Sequence, residues 1–165
     1  MTDDIKKRLD VVLIAGGKYH DIDFARLELL KLLAEDERIR TRVYEDYSNL
    51  HAISNADFLI TYTCDVRPTL EQQKVLRDFV ANGKRWLALH GTNSILQFLS
   101  DGRVDCPRVA PIFMETLGSQ FLSHPPIEPY TVTVADGDHY LVEGVEPFQT
   151  NDELYLMETH GELHV

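Results

Sequence analysis

Cysteine is scarce in this chain. Cys64 and Cys106 are the only two in 165 residues, which excludes a disulfide framework and a short-spaced zinc knuckle. Both are expected to be reduced thiols. Long apolar runs are missing as well. No stretch approaches the roughly 20 residues that a spanning helix needs, and the opening MTDDIKKRLD lacks the continuous apolar core of a signal peptide. The chain is therefore expected to be cytoplasmic, with no membrane partner. Positive charge is in short supply: 16 Lys and Arg stand against 27 Asp and Glu, a formal net charge of -11. Nucleic-acid binders concentrate Lys and Arg in a patch, so no nucleic-acid partner is expected.

Two familiar kinds of site are also absent. Ala15-Gly16-Gly17-Lys18 fits neither GxGxxG nor GxxxxGK[ST], so the glycines mark a turn and no nucleotide cofactor is expected. A glutamine amidotransferase or an α/β-hydrolase carries a Cys or Ser on the sharp turn after a central strand, and here the corresponding stretch reads Leu89-His90-Gly91. A covalent nucleophile is missing at that turn.

What is present is a globular composition, 44% hydrophobic and 26% charged, suited to one domain with a substantial core. Leu9 to Ala15 is an apolar run closed by Gly16-Gly17, a buried strand and a turn. Asp23 to Glu37 has Phe24, Leu27, Leu30 and Ala34 at helical spacing. Arg42 to Glu45 is a modest strand and Leu50 to Ile53 a short helix, while Phe58 to Tyr62 is a strand rich in aromatic and β-branched residues. Thr69 to Ala81 repeats Leu70, Gln73, Leu76 and Val80 and ends at Asn82-Gly83, a helix with its stop signal. Trp86 to Leu89 is a further buried strand. This alternation predicts an α/β sandwich with a mostly parallel sheet and helices on both faces. In the second half, Asp101 to Pro111 reads as a loop, Ile112 to Leu117 as a short helix, and Tyr130 to Ala135 as an alternating strand. Turns at Asp136-Gly137 and Gly144 precede the run Glu153 to Met157.

Histidine placement is the most informative positive feature. His20 follows LDVVLIAGG and His90 ends RWLAL. Parallel strands of one open sheet share a rim at their carboxyl ends, where ligands bind. Two remote imidazoles are thus expected to converge there, with Thr63-Cys64-Asp65 ending the strand between them. In a strand order 2-1-3-4-5 the tips of the first and fourth strands lie about 10 Å apart, a gap that inward-leaning side chains span.

Several segments together carry a family resemblance: GGKYHD, ALHGTNS, FMETLGSQFLSHPP, YTVTVADGDH and NDELYLM. In that order, over roughly residues 10 to 160, the chain resembles the ThuA-like (trehalose utilisation) family. That family sits in the class I glutamine amidotransferase-like superfamily, whose fold is a flavodoxin-like three-layer sandwich. The resemblance implies a role in carbohydrate metabolism, with trehalose or a related disaccharide or keto-sugar as the small-molecule partner. It places His20, His90, His124 and the Asp152-Glu153-Tyr155 group on the family's recurrent polar positions. There are departures: His139-Tyr140 stands where the family has HP, and Leu117-Gly118-Ser119 where it has LGG. Family members also continue into a glycine-rich strand with a further histidine, so residues 1–165 are expected to form a single domain without the usual C-terminal strand and helix.

Chemistry narrows the roles further. Imidazole and carboxylate are ligands for a divalent metal such as zinc, which commonly keeps one position for water. His20 and His90 alone are insufficient, and His124 in the Pro-stiffened Ser-His-Pro-Pro loop is the third expected ligand or base. Asp21, Asp65, Asp152, Glu153 and Tyr155 are the expected sugar-binding residues. Blander roles compete: His20-Asp21 as a hydrogen-bonded turn into a helix, His124 as a turn cap, Asp152-Glu153 as a cap, and Cys64 as a small buried hydrophobe. His51, His160 and His164 are expected at the surface. Two classes stay open, an enzyme using imidazole or metal on a sugar as hydrolase, isomerase or lyase, and a non-catalytic sugar- or metabolite-binding module or homo-oligomer. Glycosidase chemistry by paired carboxylates is disfavoured, because neighbours on an extended segment point apart.

Overall fold

The computed structural model describes residues 7–164. The opening stretch read for a leader begins in residues 1–6, which lie outside the described residues. Four strands, β1 (Leu9–Gly17), β2 (Ile39–Tyr44), β3 (Phe58–Cys64) and β4 (Arg85–Leu89), form one all-parallel sheet in the order β2-β1-β3-β4. Val11 to Ala15 are at most 2% exposed, as an apolar run covered on both faces must be.

Helix α1 (Ile22–Leu33) covers one face, packing Leu33, Leu29 and Leu30 on Val11, Leu13 and Ile60. Helices α2 (Leu50–Asn55), α3 (Leu70–Ala81) and α4 (Pro111–Leu117) cover the other, with Ile53, Leu76, Phe79 and Phe113 against Val12, Ile14 and Leu59. Each such fully buried side chain contributes about 1.5–3 kcal/mol. Caps set the helix starts: Asp21 accepts from Phe24 N, and Thr69 and Gln72 form a reciprocal capping box.

The expected fold class is therefore the observed one, with corrections at the element ends. α1 stops at Leu33 instead of Glu37, because the Asp36 side chain takes the Arg38 N–H at 2.9 Å in a turn that competes with the helix. β2 starts three residues earlier than expected, at Ile39, held by register to Leu9. The expected loop 101–111 contains β6 (Val104–Asp105), paired with β5 (Gln97–Phe98). β7 (Ser119–Ser123) was not expected, and pairs antiparallel with β10 (Leu156–Thr159). β8 (Glu128–Val132) lies earlier than the expected 130–135, because its antiparallel partner β9 (Phe148–Asp152) begins opposite Val132 and leaves residues beyond it unpaired in that ladder. The run 153–157 splits: Glu153–Tyr155 is a loop, and the strand starts only at Leu156. Among the described residues no helix is long and apolar enough to cross a membrane.

Candidate functional site

The carboxyl ends of β1, β3 and β4 form the rim. At each tip a non-glycine residue takes a left-handed backbone: Tyr19 at φ 71°, Asp65 at φ 56° and His90 at φ 48°. Such conformations cost of order 1–2 kcal/mol each and persist where surrounding contacts over-determine them. At His90 those contacts are visible. β4 passes at Leu89 straight into a turn of 3-10 helix, His90–Asn93. The buried Thr92 hydroxyl pins that turn, donating to the Leu89 carbonyl at 2.8 Å and accepting from Thr63 N–H at 3.4 Å. Gly91 packs on the Cys64 side chain with no room to spare, since a Cβ there meets the Cys64 Cβ and the Thr63 carbonyl at 3.0 Å.

The His90 ring is clamped by aromatic neighbours. It stacks on Tyr155 at 5.0 Å and on Tyr62 at 5.7 Å, and His20 meets it edge-on at 4.3 Å between ring centroids. The imidazoles thus come much closer than strand spacing alone suggests. Burial, and then the neighbouring His20, hold the His90 imidazole below its ordinary range against the opposing pull of Glu153 and Asp152. His90 is neutral at pH 7 as a result.

Glu153 joins them from the β9–β10 loop. Its Oε2 is 3.6 Å from His90 Nε2 and its Oε1 is 3.5 Å from His124 Nε2. The antiparallel pairing of β7 with β10 sets Ser123 opposite Leu156, so His124 and the Glu153–Tyr155 loop emerge at the same end. His124 Nδ1 lies 2.8 Å from the Pro125 carbonyl and donates to it, which fixes the ring. Its Nε2 contact with a carboxylate oxygen is attractive only when a proton lies between them. Tyr155 Oη is 3.3 Å from His90 Nε2. Burial and the Glu153 charge push its phenol well up, so it is a neutral hydroxyl at any ordinary pH.

Donor atoms of His20, His90 and Glu153 all lie within 4.8 Å of one another, so the third partner of the two imidazoles is Glu153. The structure sets His124 across that carboxylate, on its other oxygen. Asp21 caps α1, and Asp152 holds the Glu153 N–H at 2.8 Å; both line a cavity of about 410 Å³ beside the cluster. Asp65 is engaged elsewhere: Oδ1 takes the Leu96 N–H at 3.0 Å and Oδ2 the Lys18 ammonium at 2.8 Å. It ties the tips of β1 and β3 to the segment after β4. Cys64 is buried and its thiol is pushed up to about 11 by burial and by Asp65, so it carries no thiolate at neutral pH. His160, expected at the surface, is half-buried, with Nε2 enclosed and unpartnered; His51 and His164 are exposed.

Sequence reasoning overlooked Tyr62 and Ser94. Tyr62 was within reach, because it immediately precedes the Thr63-Cys64-Asp65 strand end and pairs with Leu89, the residue before His90. Ser94 was not, since its place depends on the short turn after β4.

A family model described as ThuA, trehalose utilisation, matches residues 10–165. No curated protein matches the chain. Among solved structures, a ThuA-like protein from Bacteroides uniformis superposes with a TM-score of 0.70 at 17% identity, covering 92% of this chain and 62% of that one. A ThuA-like protein from Parabacteroides merdae gives a TM-score of 0.60 at 18% identity, covering 93% of this chain and 64% of that one. At these identities the likeness shows the fold. The chain spans less than two thirds of the length of either solved protein.

Proposed function

Because the chain belongs to the ThuA family of trehalose utilisation, we propose that it acts on a neutral carbohydrate, a disaccharide or its keto derivative, at the rim where His20, His90 and Glu153 meet. The observation that carries this reading is the convergence of three side chains from remote stretches, with donor atoms within 4.8 Å, beside open cavities. Asp21, Asp152 and Tyr62, which line one of these cavities, suit sugar hydroxyls: carboxylates accept from them and an aromatic face covers the ring's C–H surface.

The chemistry is acid–base. Glu153 takes the proton from the carbon beside a keto group, the C–H electron pair forms the new C–C double bond as the β-oxygen substituent leaves, and His124 gives a proton through Nε2 to that departing oxygen. Tyr155 donates a hydrogen bond to an oxygen as charge builds on it. His90, clamped by two phenol rings, orients Glu153 and Tyr155. The donor set also fits a divalent cation such as zinc, since two imidazoles, one of them held neutral, and a carboxylate are the ligands of hydrolytic zinc sites. His20, His90 and Glu153 would hold it, with His124 on the outer side of Glu153; when bound it supplies Lewis-acid polarisation of a sugar oxygen.

The test combines elemental analysis of protein purified without an affinity tag with calorimetric titration and turnover assays on trehalose and its 3-keto derivative. Saccharide binding that Glu153→Gln weakens roughly tenfold or more, with conversion lost in His124→Ala, supports the reading. Metal at one per chain that disappears in His90→Ala, with the fold kept by circular dichroism, places the cation in the same cluster. Binding without turnover assigns a sugar-binding module instead, and saccharides that neither bind nor react refute the proposal.

A further inference from the structure

The His20–Glu153 pair lines two chambers at once. On one side is the 410 Å³ cavity with Asp21, Tyr62 and Asp152, and on the other a cavity of about 330 Å³. The second chamber is different in character. Leu96, Phe98, Val104, Phe121 and Leu122 form its walls. Phe98 and Val104 face each other across the β5–β6 pair, and Phe98 also meets the Tyr19 ring at 5.8 Å, closing one side of the mouth. Neither thiol that reaches this chamber is ionised at neutral pH, because burial pushes both Cys64 and Cys106 up. Tyr19, Ser123, His124 and Tyr155 also line it, toward the mouth and the Glu153 end. Among its polar groups the Ser94 hydroxyl stands out: the residue is 2% exposed and the hydroxyl makes no hydrogen bond of good geometry, although it lies beside the Tyr155 phenol.

Resting on the carbohydrate reading above, we propose that the substrate is a glycoside with an apolar aglycone, aryl or alkyl, its sugar in the acidic chamber and its aglycone in the Phe98–Phe121 chamber. The linking bond then crosses the waist between the chambers, over His20 and Glu153. A second sugar is poorly served by the apolar chamber. Hydroxyls turned to the Leu96, Phe98, Val104, Phe121 and Leu122 wall would lose water and find no partner on it, which costs about 1–3 kcal/mol for each group left unpaired. An aromatic or alkyl group instead removes apolar wall from water, and a single polar atom next to the linkage has Ser94 to bond. The cavity volume lies at the lower end of ligand-sized pockets, which suits one ring or a short chain and not a second apolar domain.

Calorimetric titration of the full chain with 4-nitrophenyl glucosides, methyl glucosides (both anomers of each) and trehalose decides the matter. The expected result is about tenfold or tighter binding of the aryl glucoside over the methyl glucoside, from burial of one ring. Phe98→Ala, at a side chain 58% exposed and so harmless to folding, brings the aryl glucoside down toward the methyl one, and Ser94→Ala weakens the aryl glucoside several-fold. Equal affinities for aryl and methyl glucosides, or tighter binding of trehalose than of either, overturn this inference and leave the carbohydrate reading standing. If no glycoside binds, aryl or methyl, that reading falls and takes this inference with it.

Discussion

At the scale of single residues, His90 concentrates both strain and chemistry. Its left-handed backbone, φ 48°, favours glycine over any other substitution. His90→Gly is expected to be more stable than His90→Ala by about 1 kcal/mol in urea denaturation, while both lose saccharide binding. Equal stabilities would mean that the turn is not strained. Cys64 gives a second test with a definite sign. Its thiol has a folded-state value of about 11 against an unfolded 9.0. The neutral form is favoured in the fold, so its stabilising effect is complete below pH 9 and is lost as pH rises through 11. Denaturation midpoints should fall over that window in the wild type and fall less in Cys64→Ala, and a thiol reagent at pH 8 should leave Cys64 unlabelled until the chain is unfolded. Prompt labelling would contradict the buried, un-ionised thiol.

At the scale of elements, the four parallel strands were legible because three of them are near-continuous apolar runs, and an apolar run of strand length between turn signals has few other destinations. β2 was half legible. Its Arg40 and Arg42 face solvent on an edge, so only its register with β1 reveals where it starts. β7 and β9 were hidden for a related reason: SQFLS buries only Gln120 and Phe121, and FQTND is almost wholly exposed, which leaves no alternation to read. Of the site, the placement of His20 and His90 followed from the rule that ligands sit at strand carboxyl ends. The position of Glu153 between two imidazoles did not, because it depends on β7 and β10 pairing across a sequence separation of 33, from Ser123 to Leu156. Two substitutions test how elements hold the rim. Thr92→Val removes the hydroxyl that fastens the turn after β4 and should cost about 1–3 kcal/mol with weakened sugar binding. Gly17→Ala places a Cβ 1.9 Å from the Cys64 carbonyl at φ 109°, so it should cost about 3 kcal/mol or more, or abolish folding. A neutral Gly17→Ala would show that β1 and β3 are not so closely apposed.

At the scale of the whole molecule, the sheet brings stretches 70 residues apart to one rim, and the chain's net charge of -11 acts on whatever approaches it. The chamber proposed for the sugar adds Asp21, Asp152 and Glu153 to that field. Phosphorylated or carboxylated sugars should therefore bind about tenfold more weakly than their neutral counterparts at low salt, and the gap should narrow as ionic strength rises. Tighter binding of a sugar phosphate would reverse the substrate class. The central claim, that a carbohydrate site is built where the imidazoles meet, is tested most directly by the side-chain nitrogen spectrum of protein carrying ¹⁵N-histidine during titration with a glycoside. The His20, His90 and His124 signals should shift together with one dissociation constant while those of His51 and His164 stay in place; shifts confined to His51 or His164, or none at saturating glycoside, would contradict it.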